Sequence, residues 1–246
     1  MNFLDVAAIV LAAGKGTRMD SDLHKVLHTL AGKPIISYTF KTLAKLHLGK
    51  ILPVVGHKAG EVKKALGPGY EYVTQEDQLG TGHAVLQALG NVPSKFSTIL
   101  VLNGDDSAFY KPETIAEVIN QHQKSQTKMT ILTSIQKGSQ VSGRVTRNDA
   151  GEVTGIKPKS QMTDEDYKTN HEIVCGLYVF DREWICRNLP KVEPDKKGEY
   201  NITALIAIAI RQSSFKAIKL KDPTEWRSIN TKGELQEARR LQKQLL

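Results

Sequence analysis

The chain is poor in cysteine, in aromatic residues and in clustered positive charge, and each shortage argues against a class of function. Its two cysteines, Cys175 and Cys186, make neither a metal-ligand nor a dithiol redox spacing. A disulfide-stapled fold is therefore not expected, and a reducing, cytoplasmic compartment is. No basic N-terminal segment leads into a long apolar run, so neither a targeting peptide nor a membrane role is predicted. The formal net charge is +8, but lysine and arginine are spread along the sequence. The longest basic clusters are pairs such as Lys63-Lys64, Lys196-Lys197 and Arg239-Arg240, and aromatics make up only 6% of residues. A nucleic-acid surface needs a focused cationic stripe, so a pocket for small anions fits better. Two common phosphate loops are also missing. Gly16 is followed by Thr17 and Arg18 rather than by Lys-Ser/Thr, and Met19 stands where a dinucleotide fingerprint needs its third small residue.

What the chain does have is concentrated at residues 9–25. An apolar run at 6–11 reads as a buried strand and breaks into small residues, Ala12, Ala13, Gly14 and Gly16, punctuated by Lys15, Arg18 and Lys25. Small residues let a ligand approach the main chain, and successive free N–H groups beside cations make an anion-binding concavity. The expected ligand is a polyphosphate. The alternative is an ordinary strand-to-helix turn with solvated lysines.

Strand-like segments at 6–11, 51–55, 70–74, 98–102 and 129–134 alternate with helix-like segments at 34–47, 59–66, 82–89 and 112–123. That alternation predicts an α/β fold: a doubly wound, mostly parallel, Rossmann-like sheet. Asn148-Asp149-Ala150-Gly151 between two short β-rich runs predicts a hairpin, and the polar stretch 157–171 is expected to form a mobile lobe over a site. A strand at 173–180, helices at 182–188 and 202–211, a strand at 215–220 and an amphipathic helix at 232–246 complete the reading. One domain, 1–246, with a small inserted β lobe at about 141–180, accounts for it.

Two further places carry chemistry. Asp105 follows the buried run 99–102 through Asn103 and Gly104, where a carboxylate meets ligands in open α/β sheets and Gly104 would allow a substrate near the backbone. Mg²⁺ needs only one or two protein oxygens when phosphates supply the rest, so Asp105 is the metal-ligand candidate; an Asx turn is the alternative. In the run from Gln75 to Ala84, Gly80 and Gly82 bracket Thr81. Thr81 is expected to cap a helix while free N–H groups and Gln75 face outward, as a base-reading loop would. A glutamine amide carries both donor and acceptor, which suits a pyrimidine edge. His83 is expected to pack at the helix start, and the His24/His28 pair lacks a third ligand.

With these residues in view, the sequence resembles the sugar-1-phosphate nucleotidyltransferases. The matching segments are 11–19, Lys25 to His28, Ala31 to Pro34, Gln75, Gln78 to Ala84, and Gly104-Asp105. Their order is most similar to the uridyltransferase domain of bifunctional N-acetylglucosamine-1-phosphate uridyltransferase/acetyltransferases. The resemblance implies a nucleotide-diphospho-sugar transferase fold, UTP and a sugar 1-phosphate as substrates, and Mg²⁺ held by Asp105 and Asn230. It further implies catalytic phosphate contacts from Arg18 and Lys25. The main chain from Leu11 through Ala12 to Gly14, with Lys15 and Gly16, would bind the nucleotide together with Gln75, Gly80 and Thr81. Asn103, Gly104 and Gly143 would line the site, and Lys157 would grip the sugar phosphate. An oligomer is left open.

The second half departs from the family pattern on the sugar side. Pro158 and Val174 replace a glutamate and an asparagine, Ala204 an aspartate, and Asn103 an aromatic residue. Other features there resemble hexose-1-phosphate uridylyl- and thymidylyltransferases. A non-catalytic sugar-nucleotide-binding protein is the alternative of a different class, disfavoured by retention of the Asp105 and Asn230 pair. No hexapeptide repeats follow Lys232, so no acetyltransferase half is expected in this sequence.

Overall fold

The computed structural model of the chain describes residues 1–137 and 143–244. In chain order the strands and helices are β1 (Phe3–Ala12), β2 (Thr29–Leu30), β3 (Lys33–Pro34), α1 (Ile35–Ala44), β4 (Leu48–Val55), α2 (Ala59–Leu66), β5 (Val73–Thr74), α3 (Thr81–Leu89), β6 (Thr98–Asn103), α4 (Pro112–Ser125) and β7 (Met129–Ile135). There follow β8 (Arg144–Arg147), β9 (Val153–Lys157), α5 (Asp164–Thr169), β10 (Glu172–Asp181), α6 (Arg182–Asn188), α7 (Ala204–Arg211), β11 (Phe215–Lys219) and α8 (Lys232–Gln244).

A sheet of seven strands in the order β11-β7-β10-β6-β1-β4-β5 runs through the centre. All its pairings are parallel except those of β10, which is antiparallel to both β6 and β7. The alternation along β1 explains why both faces are covered. Val6, Ala8, Val10 and Ala12 pack into one core with Ile36 and Phe40 of α1, Val62 of α2 and Ile115 of α4. Ala7, Ile9 and Leu11 pack into the other with Val85 of α3, Ile185 of α6 and Leu205 of α7. Successive side chains of a strand point to opposite faces, so a continuous apolar run is what a strand buried on both sides requires. Chain connections leave β1 toward β4 on one side while β6 lies on the other, which makes the carboxyl ends of β1 and β6 the topological switch point.

The doubly wound sheet agrees with the sequence expectation, and the differences are local. The strand expected at 70–74 is only Val73–Thr74. The Tyr70 ring packs edge-on against Phe40, and the Tyr72 hydroxyl bonds to the Gly67 carbonyl at the end of α2, so both are held away from the ladder. Helix α1 stops at Ala44, short of 47, where His47 takes a left-handed φ of 48°. The hairpin β2–β3 was not anticipated.

The inserted hairpin β8–β9 is present, although positions 141 and 142 of the expected insertion lie outside the described residues, as do 245 and 246 of the last helix. The polar stretch after it contains a short helix that was not expected, α5, capped by a reciprocal capping box between Thr163 and Asp166. Arg144, almost fully buried, stacks its guanidinium 5.0 Å from the Tyr167 ring and donates to the Asn170 carbonyl at 2.8 Å. Arg147 then ties the hairpin to β10 through two bonds to Glu172, at 2.6 and 2.8 Å. Burial pushes the Glu172 carboxyl up, but the bonds from Arg147 and Thr133 outweigh it and hold the group below its ordinary pKa.

Burial at the far side of the sheet has a consequence for acid stability. Desolvation lowers the pKa of His122, which is 4% exposed and bonded to Thr130, from 6.5 to about 4. Between those values the unfolded chain binds the proton and the folded chain does not. The contribution is therefore complete above about pH 6.5 and is lost as pH falls toward 4, on the order of 2–3 kcal/mol for this group. Urea unfolding at pH 7 and pH 4.5 should show that fall in the wild type and a smaller one in His122→Gln; equal falls would exclude the assignment.

Candidate active site

At the switch point the loop after β1, the end of β6, the β5–α3 loop, the inserted lobe and the segment before α8 surround one cleft of about 1820 Å³. That is larger than the few hundred to 1,000 Å³ typical of one drug-sized ligand. The loop read from the sequence as a phosphate cradle lies along it. Leu11, Ala12, Ala13, Gly14, Lys15, Gly16 and Arg18 all line the cleft. Gly14 faces open space, with no heavy atom within 4 Å of where a Cβ would stand. Gly16 has a φ of 62°, and a Cβ there would lie 2.8 Å from Cβ of Lys25, so the loop can rest against the lysine stem only with glycine at this position.

The two catalytic candidates and the two metal candidates meet at one point. The Lys25 ammonium pairs with the Asp105 carboxylate and donates to Asn230 Oδ1 at 2.8 Å, while Arg18 donates to the same oxygen at 2.9 Å. Asn230 is held by α8. Its N–H donates at 2.7 Å to Glu234, whose carboxylate also closes a reciprocal cap with Thr231, and its side-chain amide donates to Ser228. The Thr-x-x-Glu spacing at 231–234 is the sequence signal for this cap, and it went unread. Beneath lies a small core in which Met19, Leu30 and Phe109 pack against Leu235 and Ala238 of α8.

The residues present fit Mg²⁺. The Asp105 carboxylate and the Asn230 amide oxygen already converge on a single cationic group, and two protein oxygens plus phosphate oxygens are an ordinary Mg²⁺ set. Among the described residues no cluster of three His, Cys, Asp or Glu offers an all-protein metal site, and His24 and His28 flank a 3-10 turn rather than sharing a helix face.

The β5–α3 loop is built differently from the expectation. Gln75 does not face outward: it is 3% exposed, and its amide nitrogen donates to the Gly80 carbonyl at 3.1 Å and lies 3.0 Å from Nδ1 of His83. Because the Gly80 carbonyl can only accept, that end of the amide must be the NH₂. Oε1 is the end of the amide left without a partner among the described residues, in a side chain that lines the cleft. Thr81 does not cap its own helix. Its hydroxyl accepts from the N–H of Ile202, Gly82 N–H donates to the Tyr200 carbonyl, and Tyr200 N–H donates to Leu79. A Cβ on Gly80 or Gly82 would stand 2.7 or 2.8 Å from the Tyr200 oxygen. The two glycines serve main-chain packing between separated loops.

Two more expectations change. Gly104 does not line the cleft; its N–H donates to the Leu11 carbonyl at 2.9 Å, and a Cβ would strike that oxygen, so its smallness serves the β1–β6 approach. Lys157 is turned into an ion pair with Asp166 at 2.6 Å, outside the lining. That bond, with those from Thr163, depresses the Asp166 pKa to about 2. Gly143 does line the cleft, and a Cβ there would stand 2.2 Å from the Lys157 carbonyl. Asn103 also lines it, together with Asp106, the second carboxylate of the acidic run, and Trp226, which the sequence had not marked. Asn103 donates to Asp106 Oδ2 at 3.3 Å. Burial, and then the neighbouring Asp105, push the Asp106 carboxyl well above its ordinary range.

A mostly parallel doubly wound sheet with a glycine-rich loop, a carboxylate and an amide oxygen gathered at its switch point defines a ligand-binding α/β fold. The comparisons narrow this: residues 7–243 match the family model described as nucleotidyl transferase, and the chain belongs to that family. Over 206 residues it is 40% identical to the bifunctional protein GlmU of Bacillus licheniformis, covering 83% of this chain and 45% of that one. Against GlmU of Brevibacillus brevis the identity is 36% over 236 residues, 95% of this chain and 50% of the other. The chain thus spans about half the length of the curated relatives it matches. A crystal structure of a proposed glucose-1-phosphate thymidylyltransferase from Bacillus anthracis superimposes with a TM-score of 0.82 at 20% identity, covering 97% of this chain and 95% of that chain, which shows the shared fold. Among the described residues no helix is long and apolar enough to cross a membrane.

The two kinds of glycine should separate experimentally. Gly80→Ala combines a φ of 102° with a collision against Tyr200 and should cost about 1–3 kcal/mol in chemical denaturation. Gly14→Ala should leave stability within about 0.5 kcal/mol while weakening nucleotide binding, because its methyl group enters open cleft. Equal destabilisation by both would contradict the distinction.

Proposed function

We propose that the chain is a sugar-1-phosphate uridylyltransferase, converting UTP and N-acetylglucosamine 1-phosphate or a related sugar 1-phosphate into UDP-sugar and pyrophosphate. The observation that carries this is the junction of Arg18, Lys25, Asp105 and Asn230 beside the cradle. A phosphate oxygen of the sugar phosphate attacks the α-phosphorus of the nucleotide in line. The bond to the bridging oxygen of the β-phosphate breaks, and pyrophosphate leaves. The nucleophile is already an anion, so no general base or covalent enzyme intermediate is required. The difficulty is repulsion between two polyanions and the charge developing on pyrophosphate, which preorganised cations and N–H groups oppose.

In this reading the N–H groups from Gly14 to Thr17 and the Arg18 guanidinium hold the leaving phosphates. Lys25 neutralises the reacting ones from its place over Gly16. Asp105 and Asn230 would hold Mg²⁺, which supplies charge neutralisation and helps align the phosphates when bound. Gln75 supports the choice of base. With its NH₂ spent on Gly80 and His83, the amide presents only an acceptor, and N3 of uracil or thymine carries a hydrogen where N3 of cytosine carries a lone pair. On the sugar side Ile156, Pro158, Val174 and Ala204 line the cleft without side-chain hydrogen-bonding groups, so an acetamido group finds no dedicated partner there.

Pyrophosphate release from each nucleoside triphosphate with a panel of sugar 1-phosphates tests the reading. UTP should lead, dTTP should be the nearest competitor, and CTP should fall at least ~10²-fold behind, because a lone pair would face the Gln75 acceptor. EDTA should abolish the signal and Mg²⁺ restore it. CTP turnover equal to UTP would remove the role given to Gln75, and no release with any pair would remove the activity.

Arg18→Ala and Lys25→Ala should each lower turnover by ~10²-fold or more, about 3 kcal/mol of transition-state stabilisation. Circular dichroism should show the fold retained, since both side chains meet solvent in the cleft. Turnover near the wild-type value in either variant would contradict the assignment.

A further inference from the structure

Three polar residues on the floor of the cleft, Asn103, Asp106 and Trp226, do something the nucleotidyl-transfer machinery does not require. Oδ1 of Asp106 and the indole Nε1 of Trp226 are both buried, and neither has a hydrogen-bond partner among the described residues. Trp226 is 5% exposed and lines the cleft, and its indole N–H lies near enough to the Asp106 carboxyl to favour the charged form, short of hydrogen-bond geometry. Leaving two such groups unpaired carries their desolvation penalty, which a ligand offering both partners would remove.

The surrounding backbone is shaped to keep these groups in place. The pairing of β10 with β7 shifts register between Val174 and Tyr178, and within that shift Gly176 takes a φ of 66°. A Cβ on Gly176 would stand 2.5 Å from Nδ2 of Asn103 and 2.6 Å from Oδ2 of Asp106, so the irregular strand leaves room for this polar pair. Asn103 holds Oδ2 of Asp106, which leaves Oδ1 as the open end. The turn beneath is fixed by Ser107, whose hydroxyl donates to the Asn103 carbonyl at 2.6 Å and meets Thr39 at 2.8 Å.

We propose that Asp106 and Trp226, positioned by Asn103 and Gly176, form a reading site for one free hydroxyl on the sugar ring of the acceptor. This rests on the sugar-phosphate reading above and deepens it. A hydroxyl donates one hydrogen bond and accepts another, which matches an acceptor oxygen beside an indole donor; an ammonium group would satisfy Asp106 but leave the Trp226 N–H unpaired. A deoxygenated position would satisfy neither. Discrimination thus comes from the floor beneath the sugar, while the wall formed by Pro158, Val174 and Ala204 supplies none through side-chain hydrogen bonds.

The test compares glucose 1-phosphate, its four ring-position deoxy analogues at carbons 2, 3, 4 and 6, and glucosamine 1-phosphate, using wild type, Asp106→Asn and Trp226→Phe. Steady-state constants are paired with ligand-observed NMR of each sugar phosphate on nucleotide-loaded protein, so binding is read whether or not turnover occurs. Wild type should lose at least ~10-fold on one deoxy analogue and less on the others. Trp226→Phe, which keeps the ring and removes the donor, should raise KM for glucose 1-phosphate and erase that discrimination. KM for UTP and the Mg²⁺ midpoint should stay within about twofold. Asp106→Asn should act in the same direction.

A flat response across the deoxy analogues overturns the proposal. So does a Trp226→Phe variant that keeps the discrimination, or a change in UTP KM or Mg²⁺ requirement as large as that for the sugar. Absence of glucose 1-phosphate binding to the wild type overturns it as well. Sugar-phosphate binding with the expected discrimination but no pyrophosphate release would instead remove the proposed activity and leave the reading site standing.

Discussion

The convergence of Lys25, Asp105, Arg18 and Asn230 is the contact on which the rest of the site depends. It joins three parts of the chain that share no local sequence: the segment after β1, the carboxyl end of β6, and the turn before α8. Its partners lie 80, 205 and 212 residues apart. An isolated ion pair at a surface contributes little, because water screens it and ordering long side chains costs entropy. Here each partner is fixed independently. Glu234 and the Thr231 cap hold Asn230, the β1–β6 pairing sets Asp105, and Gly16 seats the Lys25 stem. The electrostatic geometry is therefore prepaid by folding, which is the condition under which fixed charges oppose the repulsion between two phosphate esters.

The glycines of the cleft follow from the same need to bring main chains close. Gly104 lets β6 approach β1, Gly80 and Gly82 let the β5–α3 loop lie against Tyr200, and Gly143 admits the Lys157 carbonyl. Gly14 alone among those five has nothing near it. Main-chain contacts of this kind place the nucleotide-facing loop and the segment 199–202 as one unit, so a substitution in either is felt in the other. The same logic relocates Lys157. Its ammonium finds a carboxylate within its own lobe, and Asp166, already part of a helix cap, holds both.

The two halves of the cleft use different physics. Along the loop after β1, dipoles and cations aimed by rigid strands suit an anionic ligand. Across from it the wall residues Ile156, Pro158 and Val174 offer no side-chain hydrogen-bonding groups, and the unpaired polar groups lie at Asp106 and Trp226. A buried acceptor and donor with nothing between them carry more discriminating power than exposed polar groups would, because a ligand that fails to pair them leaves their full desolvation cost in place.

Much of this was legible before any coordinates. The alternation of apolar runs with amphipathic segments determined the doubly wound sheet, because a strand buried on both faces and a helix buried on one leave different periodicities. The small residues and cations at 12–18 determined an open, glycine-rich loop along the cleft, because close approach of a ligand to the main chain needs that chemistry wherever it occurs. Tertiary structure decided the partnerships. Gln75 and Thr81 stand out in the sequence, but their amide and hydroxyl are committed to Gly80, His83 and Ile202, contacts set by loop packing and, for Ile202, by a loop some 120 residues away. Asp106 is visible in sequence only as a neighbour of Asp105, and Trp226 carries no motif. Their significance lies in both being buried and unpaired beside one cleft, a property of the packed chain that no spacing along it records.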